Sequence, residues 1–234
     1  FRRVLFRSNS VLMLLADQAL EQARQADQEI AAGKWRGPLH GVPLGVKDIV
    51  WMAGLPTTAG MEILKDFRPD QDATVVRRLK QAGAVLISKL NTTEGATYLH
   101  HPTFPQPVNP WSAPHWTGVS SSGSGVAVAA GLCFGALGTD TGGSVRMPSS
   151  ANNLTGIKPT WGRVSRHGLL HLGESLDTIG PLARTIGDAA AILAAIAGSD
   201  LADPTALIDP VPDYLSPLTG DIKGLRVGID WNYA

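Results

Sequence analysis

The 234-residue chain has a single cysteine, Cys133. An internal disulfide is therefore excluded, and a reducing, cytoplasmic setting is the expected home. Cys133 itself is expected to be a small buried hydrophobe. Charge of either sign is not in excess, because 20 Lys plus Arg balance 20 Asp plus Glu. Without a net field, neither nucleic acid nor a membrane surface is an expected partner. No apolar run reaches the length of a membrane span. Repeats and low-complexity tracts are missing too. So are two common signatures: there is no G-x-x-x-x-G-K-[ST], and "GSGVAV" has Val128 where the third glycine of G-x-G-x-x-G would fall. Neither Ser120 nor Ser144 sits in a G-x-S-x-G elbow, so the usual Ser-His-Asp hydrolase loses ground.

What is present is 44% hydrophobic residues in a length that can bury a sizeable core, in one large or two small domains. The N-terminal "FRRVLFRS" has no helical or strand period, and "VLMLLA" after it is too short for a secretory h-region. Residues 1–8 are expected to be foreign to the fold and 9–234 to form its N-terminal portion. Leu15, Ala19, Ala23, Ala26 and Ile30 recur at helical spacing, closed by Gly33. Around Val42, Leu44 and Val46 a short buried strand is expected, ending at Lys47. Asp72 is expected to cap a helix bearing Val75, Val76, Leu79 and Ala82, with "AVLIS" as the strand after Gly83. Ser124 to Gly131 suits a closely packed buried helix, followed by a strand near Phe134 to Gly138. A capped helix is expected over Thr185 to Gly198, a loop over Pro204 to Pro217, and the start of a strand in "KGLRVGIDWNYA". Helices alternating with short apolar strands predict an α/β fold with a covered sheet.

Two serine-glycine loops stand out, "GVSSSGSG" from Gly118 and "LGTDTGGSVR" from Leu137. Gly142 and Gly143 let backbone N–H groups converge beside Ser144, a geometry suited either to an oxyanion hole or to a plain glycine turn. A serine can be activated by a neutral lysine, and Lys47 is the candidate. At an ordinary pKa of about 10.4, only about one lysine in 2,500 is neutral at pH 7. Burial shifts lysines by up to about 3 to 5 units and closes most of that gap. From spacing alone, a surface lysine is the competing reading of "VKD". Asp48 beside it is expected on the opposite side of the strand.

Together, "GPLHGVPLGVKDIVWMAGLPTTAG", "GAVLISKLNTTEGA", "NPW", "GVSSSGSGVAVAAG", "GTDTGGSVRMPS", "GIKPTWGRVSRHG" and "SLDTIGPLART", in this order, resemble the amidase signature family. The resemblance implies a mixed sheet wrapped by helices and a Ser-Ser-Lys triad. Matched residue by residue, that triad is Lys47, Ser120 and Ser144, with the 24 residues from Ser120 to Ser144 uninterrupted. It also assigns the oxyanion hole to the backbone N–H groups of Thr141, Gly142, Gly143 and Ser144, and a cis peptide to the bond before Ser120. Asp140 and Arg146 lie outside the triad and are expected either to orient the loop or to form a simple structural ion pair. Two positions depart from the family's run, Val119 and Ser122, each standing where glycine is usual. His100, His101 and His115 do not match the triad and are expected at the surface or a pocket rim.

The implied function is hydrolysis of carboxylic amides to acid and ammonia or amine through an acyl-enzyme. The alternatives are the A subunit of a tRNA-dependent amidotransferase and a non-catalytic relative. A small-molecule amide is the expected partner, no cofactor and no metal are called for, and homodimerisation stays open.

Overall fold

The computed structural model describes residues 7–232. Its centre is a six-stranded mixed sheet. The strands are β1 (Val11–Leu14), β2 (Pro43–Lys47), β3 (Val85–Leu90), β4 (Gly135–Asp140), β5 (Thr155–Gly156) and β6 (Thr178–Ala183), in spatial order β1-β3-β2-β4-β6-β5. β2 runs parallel to both β3 and β4, and the other pairings are antiparallel. Parallel neighbours need long crossovers, and helices supply them. The helices are α1 (Ala16–Ala31), α2 (Thr74–Gln81), α3 (Ser122–Ala129), α4 (Arg146–Ala151) and α5 (Ile186–Ile196).

Two apolar clusters cover the sheet. One joins Leu44, Val46, Leu86 and Leu137 to Val75, Val76 and Leu79 of α2 and to Ile192, Leu193 and Ile196 of α5. The other joins Leu90 and Ala136 to Ala127 and Val128 of α3, with Cys133 buried in it. Strands buried on both faces lose the apolar-polar alternation that marks a half-exposed strand. That is why β6, "TIGPLA", is not visible in the sequence: all six residues are buried, while Gly180 and Pro181 look like a turn. β1, β5 and α4 are further elements that the sequence pattern does not mark.

The expected helix of small residues is found as α3, displaced two residues toward the N-terminus. Gly33 closes α1 with φ +74°, and Thr185 caps α5 by accepting from the Asp188 N–H at 3.1 Å. Two expectations are corrected. Asp72 does not cap α2, whose N-cap is Ala73; its carboxylate instead accepts from the Ala53 N–H at 2.9 Å and pairs with Lys80 at 2.6 Å. The expected strand after Lys223 does not form, because residues 222–232 have no neighbouring strand to bond. The expected foreign segment 1–8 lies outside the described residues up to residue 6; Ser8 is buried, and its carbonyl accepts from the Val108 N–H at 2.9 Å.

Because β2, β3 and β4 are parallel, they end at one edge, at Lys47, Leu90 and Asp140. β6, running the other way, begins there at Thr178 opposite Asp140. The loops that follow the three strands and the loop that precedes β6 therefore meet beyond their carboxyl ends, where open α/β sheets bind ligands.

Candidate active site

Lys47 ends β2 with none of its surface exposed. Its Nζ donates to Ser120 Oγ at 2.7 Å and to Thr139 Oγ1 at 2.7 Å. Both partners are hydroxyls; no carboxylate lies within ion-pair distance among the described residues. An ammonium has three N–H donors, and a neutral amine has two plus a lone pair. Hydroxyls can serve either form as acceptors, and when the amine is neutral its lone pair can take the Ser120 proton. Burial pulls the Lys47 pKa down from 10.5 to about 7, against the more distant pull of Asp140 and Asp177. The lysine inferred from "VKD" is thus buried, not at the surface.

Ser120 is fully buried and follows a cis Val119–Ser120 peptide. Its carbonyl accepts from the Thr93 N–H at 3.2 Å and from Thr92 Oγ1 at 3.0 Å, both beyond the end of β3. On the other side, Ser121 Oγ donates to the Thr139 carbonyl at 3.3 Å and accepts from the Thr139 N–H at 3.2 Å. Ser120 is thereby held between the ends of β3 and β4, beside the lysine on β2. Glycine makes the approach of α3 possible: a Cβ on Gly123 would lie 2.5 Å from backbone atoms of Asn91.

Ser144 is buried but for 8% of its surface. Its hydroxyl makes no hydrogen bond with Ser120 or Lys47. Asp140 shapes the loop that carries it. One carboxylate oxygen accepts from the Gly143 N–H at 2.7 Å and the other from the Val145 N–H at 3.1 Å and the Arg146 N–H at 3.3 Å. Arg146 also grips both oxygens through Nε at 3.0 Å and Nη2 at 2.9 Å. Burial pushes the Asp140 pKa up, but the guanidinium and these backbone donors outweigh it and hold the carboxyl below its ordinary value. Asp140 thus both pairs with Arg146 and bonds the backbone of the loop.

The four expected oxyanion donors divide accordingly. The Gly143 N–H is committed to Asp140, whereas those of Thr141, Gly142 and Ser144 have no acceptor among the described residues. Asp177, just ahead of β6, accepts from the Thr141 hydroxyl and from the Leu172 N–H at 2.9 Å, tying the 172–177 loop to the Ser144 loop.

Sequence reasoning missed Thr139 and Asp177 as parts of this constellation. The "SLDTIGPLART" run contains Asp177, but nothing local marks which side chain faces the site. His100 is half-buried, with Nε2 3.1 Å from Ser122 Oγ. No group of three or more His, Cys, Asp or Glu side chains that could hold a metal ion occurs among the described residues. No helix among them is long and apolar enough to cross a membrane.

Comparison with known proteins agrees with this architecture. The protein named "Putative amidase AmiD" of Mycobacterium tuberculosis is 55% identical over 223 residues, covering 95% of this chain and 47% of its own length. The A subunit of glutamyl-tRNA(Gln) amidotransferase from Chloroflexus aurantiacus is 49% identical over 224 residues, covering 95% and 46%. Among solved structures, the native peptide amidase of Stenotrophomonas maltophilia superposes with a TM-score of 0.82 at 44% identity, over 89% of this chain and 44% of that one. The chain spans about half the length of the curated relatives it matches. The family model for amidases matches residues 4–234, and the chain belongs to the amidase family.

Proposed function

We propose that the gene product carrying this chain is an amidase that hydrolyses the C–N bond of carboxylic amides, with Ser144 as nucleophile, Ser120 as relay and Lys47 as base. Ser144 Oγ attacks the carbonyl carbon while its proton passes to Ser120, whose own proton passes to the Lys47 amine. Negative charge developing on the carbonyl oxygen is met by the free N–H groups of Thr141, Gly142 and Ser144, donors worth about 3 kcal/mol each in such sites. The C–N bond breaks as the proton returns through Ser120 to the leaving nitrogen. Water then adds to the acyl-enzyme by the same relay and releases the acid. Ser144 and Ser120 make no hydrogen bond here, and catalytic hydrogen bonds often tighten only around substrate.

The observation that carries the reading is the buried Lys47 amine, 2.7 Å from Ser120 and bonded only to hydroxyls. The cytoplasm, and a small-molecule amide as the partner, belong to the same proposal. Treatment with a fluorophosphonate followed by peptide mapping tests it: an adduct on Ser144 is expected, and labelling elsewhere would sink the nucleophile assignment.

The 49% identity to an amidotransferase component favours a second reading, in which the same site releases ammonia from glutamine for a partner. Copurification with companion proteins and tRNA would support that reading over a stand-alone amidase. The intact Lys47, Ser120 and Ser144 set counts against a non-catalytic relative.

A further inference from the structure

A second lysine is buried as deeply as Lys47. Lys89, on β3, is 1% exposed. In the parallel pairing of β2 with β3, Val46 lies opposite Lys89 and Lys47 opposite Leu90. Side chains alternate along a strand, so the two lysines leave the sheet on opposite faces. Asp48, one step past Lys47, falls on the Lys89 side, and the two are 3.1 Å apart.

The partners of the two lysines differ in kind. Lys89 Nζ donates to the Val50 carbonyl at 2.7 Å and to Thr57 Oγ1 at 3.0 Å, with the Asp48 carboxylate as its third neighbour. Two hydrogen-bond acceptors and an anionic neighbour at ion-pair distance suit a charged ammonium, with Asp48 opposing the pull of burial that lowers the Lys89 pKa. Asp48 is held on its other oxygen by the Thr58 N–H at 2.8 Å and hydroxyl at 2.6 Å, so it is fixed as an acceptor and cannot swing toward Lys47.

The remaining ionisable groups around Lys47 are likewise compensated. Asp140, at the end of β4, is gripped by Arg146. Asp177, ahead of β6, takes the Thr141 hydroxyl and backbone N–H groups and lies 3.5 Å from His171. α3 and β1 bring no ionisable side chain. An uncompensated carboxylate near Lys47 would favour its charged form and remove the base.

We propose that Lys89 is a positioning residue that neutralises and holds Asp48, so that the base Lys47 stands next to no uncompensated carboxylate. This rests on Lys47 being the base, and the test separates the two ideas.

The rate of fluorophosphonate labelling at Ser144 is measured from pH 5.5 to 9 in the gene product carrying this chain, as wild type, Lys89→Met, Asp48→Asn and the double variant. Lys89→Met is expected to move the midpoint of the acid limb up by about half a pH unit or more, which lowers labelling at pH 6.5 about threefold and spares the alkaline plateau. The double variant is expected to keep the wild-type midpoint, whereas Asp48→Asn, which leaves the Lys89 ammonium without its carboxylate, is expected to move it down. A structural role alone would lower stability and leave the midpoint where it is. An unshifted Lys89→Met limb, or a double variant that shares the shift, overturns the proposal. Where Lys89→Met fails to fold, Lys89→Gln takes its place; where both fail, the double variant decides, its wild-type midpoint supporting the proposal and a displaced one overturning it. Wild-type labelling of Lys47→Ala would instead overturn the base assignment.

Discussion

At the scale of single residues, Lys47 ties catalysis to stability through one proton. A base must be deprotonated, so kcat/KM is expected to fall about tenfold per unit below pH 7 and to level off above it, with the midpoint set by the Lys47 pKa of about 7. Lys47→Ala is expected to lose about 10²- to 10⁴-fold in kcat/KM at neutral pH with the fold retained. The stability effect has the opposite sense from a salt-bridged lysine. The folded pKa of about 7 lies below the 10.5 of the free side chain, so between those values the unfolded chain holds the extra proton and stability rises with pH. Below pH 7 both forms are protonated, and the cost of burying the charge stands in full, on the order of 5 kcal/mol. Lys47→Met is expected to raise the urea midpoint at pH 7, with the gain fading toward pH 10.5; an equal gain at both values would refute the linkage. Asp140 and Arg146 should respond unequally. Asp140→Ala strands three backbone N–H groups and is expected to cost about 3–5 kcal/mol, whereas the half-exposed Arg146 is expected to cost about 1 kcal/mol or less when cut to Ala.

At the scale of elements, α3 is the part whose packing most directly sets the relay serine. Its sequence, "SGSGVAVA", has no polar face, and seven of its eight residues are buried. That much was legible in the sequence, because a run of small residues without amphipathic period has no solvent side to offer. Lys47, Ser120 and Ser144 were reached there through motif order, and the structure brings Lys47 and Ser120 into contact. What the sequence could not show is what each residue faces across strands. Lys89 reads as an ordinary lysine until the β2–β3 register puts it beside Asp48, and Asp72 reads as a cap until the loop at Ala53 claims its carboxylate. Long-range pairing leaves no local period to detect. Gly123 tests the close packing of α3, because an added Cβ would meet the Asn91 backbone at 2.5 Å and the Ser10 carbonyl at 2.6 Å. Backbone cannot yield as a flexible side chain does, so Gly123→Ala is expected to cost about 1–3 kcal/mol and to weaken the Lys47–Ser120 contact. Denaturant melts alongside Ser144 labelling rates check both; a variant as stable and as reactive as wild type would show that α3 has slack.

At the scale of the molecule, the sheet and its two covers are densely bonded, while the last stretch is not. From Leu215 to residue 232 every residue is exposed, and the hydrogen bonds there stay within four residues in sequence. Ile222, Leu225, Val227, Ile229 and Trp231 each leave more than half of their surface to solvent. The alternation of Leu225, Val227 and Ile229 is what suggested a strand, and a strand without a partner gains no ladder to offset its ordering. Apolar side chains left open in such a row favour association between molecules. The two-residue β5 at the sheet's edge offers little against which the segment could pair within the chain. Deleting everything after Leu218 is therefore expected to leave the thermal midpoint of the sheet within about 2 °C, since only about 0.5 kcal/mol or less of native contact is removed. Residues 1–234 are expected to show a concentration-dependent rise in sedimentation coefficient, and the same deletion is expected to abolish it. A drop of more than about 5 °C would mean that the segment packs on the core after all. Identical sedimentation of the two forms would mean that the exposed row does not drive association.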